Sequence, residues 1–246
     1  MLIFVHIPKT AGSSVNKTLE SVFESGVSHV EASIENPDFQ KQVATCDWIS
    51  GHVTRVAFDK ALNLGEPPVY LAFLRSPTEQ LIFHIKWQFA IFDKGKEFFL
   101  SHPLRNQIIS LEAMSVNYRD TSSIIAFIEK HRGMFLNFQC NYILSDMSVR
   151  LTKDIVRSDA SHFQLLGTTE RIYATLPKLF LEIAGSGSGA LALKEERENT
   201  NSNRYFDEEV FRGLKLSEYL TEHNARDKML YDMVKNEIEP RFLERH

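Results

Sequence analysis

A lysine, a glycine and three hydroxyl residues stand within one short stretch, Lys9-Thr10-Ala11-Gly12-Ser13-Ser14. This set suits an anion: Lys9 supplies a full positive charge, and Thr10, Ser13 and Ser14 supply hydroxyl donors. Ala11 and Gly12 are small enough to let backbone amides approach a ligand. The flanks strengthen the reading. Leu2 to Ile7 is a short apolar run that reads as a buried strand. Pro8 ends it, because proline cannot continue a central ladder. Past the turn, Val15, Leu19, Val22 and Phe23 recur on one helical face. A strand, a small-residue turn and a helix start place unpaired amides and the positive end of a helix dipole at the turn. The stretch is therefore expected to cradle a phosphate or sulfate. It is not a Walker A loop, in which the lysine directly follows the last glycine; here Lys9 precedes Gly12. The plainer alternative is a strand–turn–helix that happens to carry a lysine.

Three further stretches have the same placement, just past a strand. Arg75-Ser76-Pro77 follows the buried run Val69 to Leu74, with Ser76 as expected N-cap and Pro77 at the first helical position. Arg75 can make charge-assisted bonds to a phosphate; the alternative is a surface arginine. Ser50-Gly51-His52 follows a strand expected over Val43 to Ile49. A lone histidine is most often structural, but position makes His52 the candidate general base. Gly167-Thr168-Thr169-Glu170 follows a short strand from Phe163 to Leu166, and Thr168 and Glu170 read equally well as pocket residues or as a helix cap with an early acid. His6 lies inside the first strand and reads as structural, and His84 is a weaker candidate base.

The elements that must hold these loops alternate. Strands at 2–7, 43–49, 69–74 and 163–166 are separated by helices expected near 15–23, 54–64, 78–92, 103–114, 124–130, 137–144 and 170–184. Alternation of this kind implies a parallel sheet covered by helices on both faces. In such sheets ligands bind beyond the carboxyl ends of the strands. The chain of 246 residues suits one domain, 1–246, and Gly185 to Gly189 reads as a loop within it. Hydrophobic content is 43% and charged content 24%, as in ordinary globular proteins. The net charge of −4 argues against general nucleic-acid binding, so an anionic ligand needs a local positive site. Cys46 and Cys140 sit in apolar runs without metal spacing and read as buried thiols of a reducing compartment. No segment has the length and flanks of a membrane anchor or signal peptide.

His-Ile-Pro-Lys-Thr-Ala-Gly-Ser-Ser, residues 6–14, closely resembles the 5′-phosphosulfate loop of the sulfotransferases. It is most similar to the carbohydrate sulfotransferase branch that includes heparan sulfate 2-O-sulfotransferase, where His-Ile-Pro-Lys-Thr-Gly-Gly-Thr-Ser is typical. Residues 74–81 resemble the family's Arg-Asp-Pro-x-x-Arg-Leu-x-Ser motif, whose arginine and final serine bind the 3′-phosphate of 3′-phosphoadenosine 5′-phosphosulfate (PAPS). Two departures stand there: Ser76 replaces the aspartate, and Phe83 replaces the serine, which removes one hydrogen-bond donor. Gly51-His52 resembles the stretch carrying the branch's catalytic histidine. Residues 166–171 look like the family's Gly-x-Thr-Glu-Arg stretch, 137–139 like its Asn-x-Gln, 198–204 like its late Asn-rich loop and 224–231 like its terminal Asn-x-x-Asp-x-x-Leu-Tyr. The matches run in family order along most of the chain.

The resemblance implies a P-loop sulfotransferase-like α/β fold and transfer of a sulfuryl group from PAPS to an acceptor hydroxyl. The acceptor would be a sugar, with a lipid or small metabolite as other choices. Lys9 and His52 would be catalytic, and Lys9, Thr10, Ala11, Gly12, Ser13, Ser14, Arg75, Thr168 and Glu170 would bind the cofactor. PAPS would leave as adenosine 3′,5′-bisphosphate, and no metal is required. The family's animal members sit in the Golgi behind an anchor. A chain that starts at the first strand is instead expected to be a cytoplasmic enzyme of bacterial type, or a domain cut from a longer protein. Two other functions stay open: a P-loop nucleotide kinase, disfavoured by the missing Walker A lysine, and a non-catalytic nucleotide-binding module.

Overall fold

Leu2–Val5 form β1, and all four side chains are buried. The computed structural model of the protein describes residues 1–184 and 206–245. After β1 come α1 (Gly12–Val22), β2 (Gly26–Val27), α2 (Phe39–Val43), β3 (Trp48–Gly51), α3 (Arg55–Ala61) and β4 (Val69–Leu74). A run of helices follows: α4 (Pro77–Asp93), α5 (Lys96–Leu100), α6 (Leu104–Ser115), α7 (Thr121–Lys130), α8 (Arg132–Phe135), α9 (Cys140–Ile143) and α10 (Lys153–Ala160). Then come β5 (Phe163–Thr168), α11 (Ile172–Ala184), α12 (Leu214–His223), α13 (Ala225–Met233) and α14 (Glu239–Arg245). The chain divides into two compact units that alternate along the sequence. Of the described residues, Met1–Arg75, 139–184 and 229–245 form the first, and Ser76–Phe138 and 206–228 the second.

The first unit holds the sheet. Its strand order is β2-β3-β1-β4-β5, and every pair is parallel. Parallel neighbours need crossover connections, which is why the strands alternate with helices, and the central strands β1 and β4 are nearly continuous apolar runs. Successive side chains point to opposite faces. Leu2, Phe4, Leu71 and Phe73 meet Val15 and Leu19 of α1, Leu176 and Phe180 of α11 and Phe242 of α14. From the other face Tyr70 reaches α3, where its hydroxyl donates to Asp59. The protein is thus α/β, with a five-stranded parallel sheet flanked by helices.

The second unit is helical. Leu81, Ile82, Ile85 and Phe89 of α4 pack with Ile109 and Ala113 of α6, Phe127 of α7 and Phe135 of α8 in one apolar cluster. Pro77 does open α4, and Ser76 stands at the N-cap position without a side-chain cap bond.

Several elements differ from the sequence reading. β3 begins at Trp48, not Val43, because Val43 and Phe39 lie one helical turn apart and are both buried on α2. β2 was not foreseen; only two residues long, it pairs with Trp48 and Ile49. Gly26 permits it, since a Cβ there would fall 2.0 Å from the Trp48 indole nitrogen. The helix expected over 137–144 shrinks to α9, because Asn137 has a φ of 51° and its side-chain oxygen accepts the Arg226 amide instead. α10 was not foreseen. The stretches 185–189 and 198–204 lie outside the described residues. Among the described residues, no helix is long and apolar enough to cross a membrane.

Candidate active site at the carboxyl edge of the sheet

β3, β1 and β4 are neighbours and parallel, so Gly51, Val5 and Leu74 end at one edge. The chain runs from β1 to the β3 side and then crosses to β4 on the other, which makes the β1–β4 gap the topological switch point. Lys9 and Ala11 follow β1, and both adopt left-handed backbone, with φ of 69° and 66°. That conformation costs roughly 1–2 kcal/mol for a residue with a Cβ. Such strain collects at functional turns, where it brings successive amides to one side. Ala11 is the N-cap of α1 and supplies no side-chain cap. The first intrahelical bond runs from the Val15 amide to the Ala11 carbonyl. The amides of Gly12, Ser13 and Ser14 therefore precede the ladder and face the turn. A Cβ on Gly12 would fall 1.6 Å from His6 Nε2, so this position requires glycine.

The hydroxyls divide. Thr10 is buried, and its Oγ1 donates to the Ile7 carbonyl at 2.9 Å. It closes the loop on itself rather than presenting a donor. Ser13 is exposed and Ser14 half-buried at the helix start. Buried Asn16, which the sequence did not flag, accepts from Ser50 Oγ at 2.8 Å and ties α1 to the end of β3.

Arg75 is half-buried just past β4. Its backbone is gripped by fully buried Gln139: the Arg75 amide donates to Oε1 at 2.9 Å, and the Gln139 Nε2 donates to the Arg75 carbonyl at 2.8 Å. Gln139 thus behaves like one residue of a further strand. The Asn-x-Gln stretch gave the only signal for it in the sequence. Thr168 ends β5 directly opposite Leu74. Its amide and hydroxyl both donate to Glu239, at 2.8 and 2.9 Å, which commits that hydroxyl to α14. Glu170 accepts the Tyr231 hydroxyl. Both residues stand near the edge but are engaged with the C-terminal helices. Burial pushes the Glu239 carboxyl up, against the pull of the Thr168 donors and of Arg171.

His52 lies past β3. Its Nδ1 donates to the His6 carbonyl at 2.8 Å, which leaves the lone pair of a neutral ring on Nε2. Its amide donates to Glu31 Oε2 at 3.1 Å. The His6 and His52 rings meet at a tilt of 41° with centroids 4.2 Å apart, and the His29 ring lies 5.8 and 5.7 Å from them. Burial holds the His52 ring below the ordinary histidine value, although the His6 carbonyl and Glu31 pull the other way. Burial, the other two rings and the Lys9 ammonium hold His6 well below it. Burial opposes ionisation of Glu31, yet the Glu31 and His52 amides and the two outer rings keep its carboxyl below the usual value. Lys9 and His52 are therefore close enough to feel each other's charge. His29 and Glu31 went unnoticed in the sequence, where they sit in a polar, irregular stretch.

His84 and Phe83 belong to the second unit. His84 is buried between Phe135 and Phe138, with centroids 5.5 and 4.9 Å away, and its Nδ1 meets Gln80 Nε2 at 3.4 Å. Phe83 is half-buried on α4. A surface depression lined by Asp59, Leu62, Pro67 and Tyr70 opens at the amino edge of the sheet, opposite the loops described above.

No family model, no curated protein and no solved structure matches this chain.

Proposed function

We propose that the protein is a sulfotransferase of the P-loop type, moving a sulfuryl group from PAPS to an acceptor hydroxyl, with a carbohydrate as the acceptor class. The observation that carries this reading is the uncapped start of α1 behind two left-handed residues, with Lys9 in the turn and Arg75 past the adjoining strand. That arrangement suits a 5′-phosphate in the turn and a second phosphate nearby. The residues fit the donor with two amendments: the Thr10 hydroxyl closes its own loop onto the Ile7 carbonyl, and Thr168 and Glu170 shape the edge through Glu239 and Tyr231 rather than offering free donors. PAPS, when bound, supplies an activated sulfuryl group on a phosphate leaving group.

The chain's own part is orientation and charge. The Gly12, Ser13 and Ser14 amides hold oxygens that gain charge during transfer, where preorganised donors contribute most. Lys9 neutralises the leaving phosphate oxygen. Arg75, fixed by Gln139, holds the second phosphate through its guanidinium. His52 presents the Nε2 lone pair to the acceptor hydroxyl and takes its proton.

Calorimetry with adenosine 3′,5′-bisphosphate, ATP and AMP tests the proposal. The bisphosphate should bind at least about 10-fold tighter than the other two. Preference for ATP would replace the reading with a kinase. Tight bisphosphate binding without sulfuryl transfer to any sugar acceptor would leave a binding module.

A further inference from the structure

Three histidines far apart in sequence meet beside the anion turn: His6, which follows β1 rather than lying inside it as its sequence suggested, His29 before β3 and His52 after it. Among the described residues they are the group of metal-ligating side chains whose donor atoms all lie within 4.8 Å of one another. On two of them a hydrogen bond already engages one ring nitrogen. His52 Nδ1 is spent on the His6 carbonyl, and His29 Nδ1 on Glu31 Oε1 at 3.2 Å. Both rings therefore turn a basic Nε2 outward from those bonds. His6 is only 6% exposed, and its Nδ1 is buried without any hydrogen-bond partner. An unmet buried nitrogen is destabilising unless something completes it.

We propose that His6, His29 and His52 form a three-histidine site for one divalent transition-metal ion of the zinc class, with the fourth position open. Imidazole nitrogens select zinc, cobalt, nickel or copper over magnesium and calcium. Metal-bound histidines characteristically give their other N–H to a carboxylate or a backbone carbonyl. Glu31 and the His6 carbonyl are such acceptors, and Glu31 also brings a compensating charge. The Lys9 charge, which acts on both His6 and His52, opposes the ion's charge, so affinity is set by the balance of Lys9 against Glu31. Tetrahedral zinc with bonds of about 2.0–2.1 Å puts its nitrogens about 3.4 Å apart. Closing from 4.8 Å asks for shifts of about an ångström, which the exposed His29 ring can make. Its backbone is left-handed, with φ of 59°. The site stands on the three rings and does not depend on the sulfuryl-transfer reading. If both hold, an ion on His52 Nε2 occupies the lone pair that proton acceptance needs, so metal and transfer exclude each other.

The test uses the full chain, stripped with a chelator and titrated with cobalt(II), then zinc(II). The expected result is one saturable cobalt ion per chain, with the intense visible absorption of a four-coordinate nitrogen site, displaced by zinc. His29→Asn suits the left-handed backbone and alters an exposed side chain, so it should fold; it should weaken binding by more than about 10-fold. Glu31→Gln should weaken it by about 10-fold, because the N–H of His29 loses a charged acceptor. His162→Asn, at an exposed histidine elsewhere, should change nothing. The proposal is overturned if the wild-type protein binds no ion below about 0.1 mM, or if His29→Asn binds cobalt with unchanged affinity and spectrum.

Discussion

Two polar clusters in the first unit differ in how completely their groups are used. Under one face of the sheet, Arg55 is 4% exposed. Its Nη1 donates to Asp59 at 2.5 Å, and its Nη2 to Ser145 and to Asp159 at 3.5 Å. Asp159 also takes the Ser145 amide and hydroxyl, and Asp59 takes the Tyr70 hydroxyl at 2.6 Å. Burial and the Asp59 carboxylate push the Tyr70 phenol up, which keeps it a donor. Only Nε of Arg55 lacks a partner. At the carboxyl edge the balance differs: among the described residues, the buried His6 Nδ1 has no hydrogen-bond partner, and the His29 and His52 rings stand beside it. A filled network holds elements in place, whereas an unfilled one at a strand edge is equipped for a ligand. The difference separates a structural polar core from a site without reference to any relative.

The sharpest way to break this comparison is at Arg55. Arg55→Met would strand Asp159, whose side chain is 8% exposed, as a buried charge. It should cost about 3–5 kcal/mol in urea unfolding. His29→Asn at the edge should cost no more than about 0.5 kcal/mol. Comparable losses from the two would erase the distinction. Next in size is Lys9→Gly. It should lower turnover by roughly 10²–10³-fold, the scale of one transition-state donor. By relieving the left-handed backbone it should also raise stability, by up to about 1 kcal/mol. A Lys9→Gly protein that keeps its turnover would remove Lys9 from the reaction.

Gln139→Ala sits between the two classes, because Gln139 is a buried clamp that serves a site residue. It should destabilise the fold by about 1–3 kcal/mol through the orphaned Arg75 amide and carbonyl. It should also raise KM for the sulfuryl donor more than it lowers kcat, as Arg75 loses its place. Steady-state kinetics on the folded mutant checks the split, and an unchanged KM would show that Arg75 does not bind the donor. The smallest effect is expected for Ala11→Gly, where glycine removes the strain of φ 66° but gives up a half-buried methyl. A gain of about 0.5 kcal/mol, read from the urea midpoint, is the expected balance. A loss of stability would mean that the methyl contact outweighs the strain.

Local signals carried much of the fold. The run Val69–Leu74 is a strand from end to end, and Pro77 opens the next helix, because unbroken apolar runs and prolines act within a few residues. The same signals placed Lys9, His52 and Arg75 just past strand ends, since strand, turn and helix start are written consecutively in each case. Tertiary structure decided the rest. Which strands lie side by side depends on long crossovers, and the order β2-β3-β1-β4-β5 puts three of those ends together. Gln139 reaches Arg75 across 64 residues and Glu239 reaches Thr168 across 71, pairings that no periodicity encodes. The left-handed backbone at Lys9 and Ala11 had no glycine to announce it. His29, in a stretch without pattern, became a neighbour of His6 and His52 only because β1 and β3 pair in register, Val5 against Gly51, and carry the rings that follow them to one edge.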